Sequence, residues 1–157
     1  MPIRVLFVCL GNICRSPAAE GVFRHQASAA GLGSAFHIES AGTGAWHIGE
    51  PPDRRMRRAA ERRGISMTSR ARKVSADDFE RFDHIFAMDR SNLEALLDQA
   101  PPEHHHKIRL FRDLDPDEPG GDTPDPYYGG DAGFDEVLDI VERTSQHLLS
   151  SLRAPRS

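Results

Sequence analysis

The sequence predicts an α/β fold built on a parallel sheet, and three observations carry that expectation. Short apolar runs alternate with longer amphipathic segments, and no repeat, low-complexity tract or linker composition interrupts the alternation. The chain then closes on a long helical pattern, with Phe134, Leu138, Val141, Leu148 and Leu152 at three- to four-residue spacing or multiples of it. Its 157 residues suit a single domain over 1–157 and suffice to bury roughly two-thirds of the unfolded surface.

The elements follow in order. Strands are expected at 3–8, 36–40, 84–87 and 108–110, where apolar and β-favouring residues cluster between turn signals. Ser16 suits an N-cap with Pro17 as first helical residue, so a helix should begin directly after the first loop. Ser75 and Asp78 fit a capping box before the third strand. In "RRMRRAAERR" (54–63), Met56, Ala59, Ala60 and Arg63 suit one helical face opposite a solvated arginine side. The segment 113–133, rich in Asp, Pro and Gly, has no periodicity; a loop of that length inside a compact domain is usually functional.

Charge is unevenly divided. The chain carries a net −4, yet residues 1–76 hold 12 basic and 5 acidic residues, whereas 77–157 hold 8 basic and 19 acidic. The first half favours anions. The basic run at 54–63 reads more simply as a solvated helix face than as a nucleic-acid site. His104, His105 and His106 follow two prolines and read as a polar loop; no cysteine lies near them to complete a metal site. The apolar opening is too short for a bilayer span and no small-residue cleavage site follows it, so a cytoplasmic protein with neither membrane nor nucleic-acid partner is expected. Oligomeric state leaves no mark on the sequence.

The informative stretch is "VCLGNICRSPAAEG" (8–21). A strand ends, a loop follows, and a helix begins. In open α/β sheets ligands bind beyond the carboxyl ends of strands, and a loop entering a helix offers unpaired backbone N–H groups to an anion. Leu10, Gly11, Asn12, Ile13, Cys14 and Arg15 thus form a phosphate-sized cradle. It lacks the Gly-Lys-Ser/Thr of a Walker loop. Amide dipoles and a guanidinium favour ionised sulfur, making Cys9 a nucleophile, while Arg15 can grip two oxygens of a tetrahedral dianion. Cys9 alone would pass for a small buried apolar residue; the complete Cys-x5-Arg-Ser loop between strand and helix favours the chemical reading.

"CLGNICRSP" resembles the signature loop of the low-molecular-weight protein tyrosine phosphatases. The likeness continues through "ESAGTGAW" (39–46), "PPD" (51–53), "ARKVSADDFERFDHIFAMDRSNL" (71–93) and "DPYYGG" (125–130), in the family's order. It implies a small doubly wound, flavodoxin-like three-layer domain with a four-stranded parallel sheet flanked by helices. It also implies a phosphotyrosine and aryl-phosphate hydrolase working through a cysteinyl-phosphate, without metal or cofactor, and inhibited by phosphate and similar oxyanions.

Residue by residue, the resemblance makes Cys9 the nucleophile, Arg15 the phosphate clamp and Asp125 the general acid and base. A donor facing the thiolate is required on chemical grounds, because phenolate leaves poorly unprotonated; the choice of Asp125 among the acids of its loop rests on "DPYY", and its plain alternative is a turn residue. Trp46, Tyr127 and Tyr128 would wall a slot deep enough for an aryl phosphate, or simply pack their loops down. Asn12, Ser16 and Ser40 match positions that brace the loop, Ser16 also assisting the leaving thiolate. Cys14 would pair with Cys9 under oxidation, or be a packing residue. Many eukaryotic members carry a histidine near the place of Ser69, which points to a bacterial member with a shorter bracing network. Thioredoxin-coupled arsenate reductases share the fold and loop but need downstream cysteines, and none follows Cys14. A non-catalytic phosphotyrosine-binding module is the remaining alternative.

Overall fold

All four expected strands form, and they lie parallel in one sheet. The computed structural model describes residues 1–127 and 129–153. The strands are β1 (Ile3–Cys9), β2 (Phe36–Gly42), β3 (His84–Ala87) and β4 (Ile108–Leu110), in the spatial order β2-β1-β3-β4. The chain winds from β1 outward to one side and then to the other, which is the doubly wound arrangement. Val8 pairs with Ala41 on β2 and with Ala87 on β3. The three strand ends are therefore level, and the loops leaving them meet at one edge.

Among the described residues five α-helices flank the sheet: α1 (Arg15–Ala29), α2 (Arg54–Glu61), α3 (Ala76–Arg81), α4 (Arg90–Gln99) and α5 (Asp131–Arg153). Period-two alternation splits β1 between two cores. Val5, Phe7 and Cys9 join the apolar faces of α1 and α5, including Phe23, Phe134 and Val141; Leu6 and Val8 pack with Phe79, Phe82 and Leu96 on the other side. Phe7 is the hub of the first core, with Phe23, Phe86 and Phe111 ring centroids 5.9, 5.9 and 5.5 Å away. Burial of such a ring contributes about 1.5–3 kcal/mol. The same alternation turns Cys9 toward the side on which α1 begins.

Local expectations are met with one correction. Asp78 accepts the Ser75 backbone N–H at 2.8 Å as the capping box requires, and Phe134, Leu138, Val141 and Leu148 are buried along α5 with Leu152 packed at their edge. Met56, Ala59 and Ala60 form the buried face of α2, while Arg63 turns inward to pair with Asp135, Asp139 and Glu142 of α5. The histidine triplet sits in a 3-10 helix, Pro102–Lys107. The correction concerns Ser16, which is not an N-cap. Helix α1 starts at Arg15 with Cys14 before it, because proline lacks only an N–H that the whole first turn leaves unpaired and so does not have to come first. Among the described residues no helix is long and apolar enough to cross a membrane.

Candidate active site

The loop between β1 and α1 holds its shape through one buried amide. Asn12 has φ = 56°, the left-handed conformation that asparagine tolerates better than most side chains. The Arg72 backbone N–H donates to Asn12 Oδ1 at 3.0 Å, which fixes the orientation of the amide. Its Nδ2 then donates to Ser16 Oγ at 2.8 Å and to Ser40 Oγ at 3.0 Å. The Ser40 hydroxyl in turn donates to Glu20 Oε1 at 2.6 Å. With Asn12 donating to Ser16, the Ser16 hydroxyl proton is left for an acceptor, and Cys9 Sγ lies 3.0 Å away with the Ala41 carbonyl at 3.4 Å. The result is a chain of polar side chains, each at most 6% exposed, ending on the sulfur. Ser69 takes no part in it among the described residues; the backbone of Arg72 serves instead.

Arg15 is anchored as firmly. Its guanidinium is 3% exposed and donates to Asp89 Oδ2 at 2.6 Å and to the Thr123 carbonyl at 3.1 Å. Burial works against its charge, but Cys9 and the Asp89 hydrogen bond outweigh this and raise its pKa. Asp125 approaches the other arm of the fork, with Oδ2 3.6 Å from Arg15 Nη2, and is 41% exposed. Its loop is tied down on both sides. The Thr123 N–H donates to the Met88 carbonyl at 2.7 Å, and Arg112 donates to the Asp122 carbonyl at 2.7 Å. Farther along, Asp125 Oδ1 accepts the Tyr127 N–H at 3.1 Å, and Arg55 donates to the Tyr127 carbonyl at 2.8 Å with its guanidinium 5.7 Å from the Tyr127 ring centre.

These parts surround a cavity of about 360 Å³ lined by Cys9, Arg15, Asp125 and the loop residues Leu10, Gly11, Ile13 and Cys14. Trp46, His47 and Tyr127 complete its rim. The indole of Trp46 lies directly over Gly44, where a Cβ would come within 1.8 Å of the ring. Asn12, Ser16 and Ser40 do not line the cavity; they support it from behind. Tyr128 lies outside the described residues. Both cysteines are free thiols. Burial above all, and then Asp53, push the Cys14 thiol well above the ordinary range, so it stays protonated at neutral pH. Among the described residues no cluster of His, Cys, Asp and Glu is arranged to hold a metal ion.

Asp89, Glu20, His47 and Arg55 join the site without standing out in the sequence. Asp89 stands in "AMDRSNL" at the end of β3 and also caps α4 by accepting the Asn92 N–H at 2.8 Å. An Asp beyond the carboxyl end of a sheet strand was a usable signal. Glu20 had only its place one helical turn after Ser16, and His47 and Arg55 had no local signal.

Residues 4–157 match the family described as low molecular weight phosphotyrosine protein phosphatase. The chain belongs to that family. A low molecular weight protein-tyrosine-phosphatase of Streptomyces coelicolor is 47% identical over 156 residues, covering 98% of this chain and 95% of the relative. The crystal structure of a protein tyrosine phosphatase from Entamoeba histolytica with Hepes in its active site matches with a TM-score of 0.93 at 43% identity, over 96% of each chain. Wzb of Vibrio vulnificus in complex with benzylphosphonate matches with a TM-score of 0.84 at 25% identity, covering 95% of this chain and 98% of that one. Membership makes this chain an enzyme of the phosphatase class, and the doubly wound sheet expected from the family is the one it has.

Proposed function

We propose that the chain hydrolyses phosphotyrosine and other aryl phosphates in two steps. The observation that carries this reading is the convergence of Cys9, Arg15 and Asp125 on one cavity. In the first step Cys9 Sγ attacks phosphorus, the S–P bond forms, the P–O bond to the aryl group breaks, and protonated Asp125 gives its proton to the leaving phenol. Arg15 and the amides of residues 10–15 hold the equatorial oxygens, whose charge they stabilise most in the transition state. In the second step water attacks phosphorus, Asp125 takes its proton, and the thiolate leaves with the Ser16 hydroxyl as hydrogen-bond donor. Hepes in the active site of the Entamoeba relative and benzylphosphonate in complex with the Vibrio relative support an oxyanion in this position.

The rim supports aryl specificity. Trp46, His47 and Tyr127 raise the wall above the sulfur, so a flat ring reaches it where the short arm of phosphoserine does not. The deciding experiment is hydrolysis of p-nitrophenyl phosphate and of phosphotyrosine and phosphoserine peptides by wild type and Cys9→Ser, with EDTA present. Turnover restricted to the aryl phosphates and lost in Cys9→Ser is expected. Normal turnover by Cys9→Ser would remove the nucleophile from the scheme.

Cys14 serves as a resolving thiol in this reading. Peroxide converts the Cys9 thiolate to a sulfenic acid, Cys14 sulfur attacks it, a disulfide forms and water leaves. Because Cys14 is held protonated, this step is expected to be slow. Dithiothreitol should restore peroxide-treated wild type but not Cys14→Ser; equal recovery of the two would dismiss the role.

A further inference from the structure

Helix α2 carries more positive charge than its fold requires. Met56, Ala59 and Ala60 face the core, which forces Arg54, Arg58 and Arg62 outward, and all three are exposed. Four-residue spacing lines up Arg54 and Arg58 on α2 and continues to Arg62, the residue that closes the helix, about 12 Å from first to last at 1.5 Å per residue. Other arginines of the segment are committed: Arg55 pairs with Asp53, and Arg63 with three acids of α5. Among the described residues no ion pair engages Arg54, Arg58 or Arg62. Arg58 and Arg62 border a groove of about 80 Å³ together with Arg55, Asp131 and Phe134.

That groove adjoins the catalytic cavity. Arg55 belongs to the groove wall and holds the Tyr127 carbonyl at 2.8 Å with its guanidinium over the Tyr127 ring, and Tyr127 belongs to the cavity rim. We infer that the arginine row receives acidic residues flanking the phosphotyrosine of a protein substrate. The inference rests on the aryl-phosphatase reading above. A substrate with its phosphate on the Cys9 loop carries its own backbone past Tyr127 onto this surface. An extended chain advances about 3.3–3.6 Å per residue, so the row spans about four substrate positions. The one carboxylate in the groove wall, Asp131, acts on Arg55, leaving Arg58 and Arg62 for a ligand. The other acids that α5 brings to this side, Asp135, Asp139 and Glu142, are engaged by Arg63, so they leave the row's charge to an acidic ligand. A long nucleic acid suits it less, since a duplex carrying one charge per about 1.7 Å would extend far beyond a 12 Å row on a protein of net charge −4.

The test uses the full chain with p-nitrophenyl phosphate and phosphotyrosine peptides bearing four Glu or four Gln on either flank. At low ionic strength the Glu peptide of one flank should exceed its Gln counterpart about three- to tenfold in kcat/KM, chiefly through KM, as expected for two or three exposed ion pairs. The advantage should shrink in high salt. R58E/R62E should cancel or invert it while leaving p-nitrophenyl phosphate turnover unchanged, and R58Q/R62Q should fall between. Equal kcat/KM for Glu and Gln peptides on both flanks, or a preference that survives R58E/R62E, overturns the inference alone. Stronger competition by duplex DNA than by the Glu peptide, abolished in R58E/R62E, overturns it in favour of nucleic acid. Failure to hydrolyse even p-nitrophenyl phosphate overturns the phosphatase reading and this one with it.

Discussion

The two loops that make the site are held in opposite ways. The Cys9 loop is braced from inside the protein, by a run of buried side chains from Glu20 through Ser40, Asn12 and Ser16 to the sulfur. The Asp125 loop is held by backbone carbonyls and by arginines reaching in from Arg15, Arg55 and Arg112, and the Asp125 side chain remains 41% exposed. Stabilising developing charge needs donors that are already in place. Delivering and recovering a proton needs a group in reach of substrate and water. The difference in bracing suits the two tasks proposed for the loops.

Four substitutions sharpen that contrast, the first with the largest expected effect. Arg15→Lys replaces a planar fork by a point charge and leaves Asp89 imperfectly paired, so kcat should fall about a thousandfold; steady-state kinetics with p-nitrophenyl phosphate will measure it, and a loss under tenfold would break the clamp assignment. Asp125→Ala should cost on the order of a hundredfold or more with phenyl phosphate and much less with p-nitrophenyl phosphate, whose phenolate leaves unaided. Equal slowing of the two would take Asp125 out of leaving-group protonation.

Asn12→Ala attacks the interior brace. It strands Ser40 and the Arg72 N–H, and leaves an alanine at φ = 56°, so about 1–3 kcal/mol of stability should be lost with roughly tenfold in kcat. Urea unfolding read alongside kinetics checks both, and unchanged stability would show that the network is not a brace. Arg55→Ala loosens only the acid loop. Turnover of poor leaving groups should drop by about three- to tenfold, the scale of one ordinary hydrogen bond, while inhibition by inorganic phosphate stays as in wild type. Weakened phosphate inhibition would mean that the two loops are coupled after all.

How much of this was legible depended on sequence separation. Strand positions, the α5 face and the Ser75–Asp78 box came from periodicity and local capping. The Cys9-to-Arg15 cradle was legible because seven consecutive residues carry it. Ser16 before Pro17 reads locally as an N-cap, but α1 already begins at Arg15 and the Ser16 hydroxyl meets Cys9 of the strand instead. Asp89 meets Arg15 across 74 positions, and Arg55 meets Tyr127 across 72; neither pairing has a local signature.

The sequence by itself determined an α/β chain with an anion loop at the end of its first strand, because apolar period and backbone preference act over a few residues. It also carried the motif that names the family. Tertiary structure alone decided which carboxylate anchors Arg15, how the Asn12 amide is oriented, and that Arg58 and Arg62 border a groove beside the cavity. These depend on the level ends of three parallel strands and on the packing of α2 against α5, which bring distant residues within hydrogen-bond reach only once the sheet has formed and the helices have packed on it.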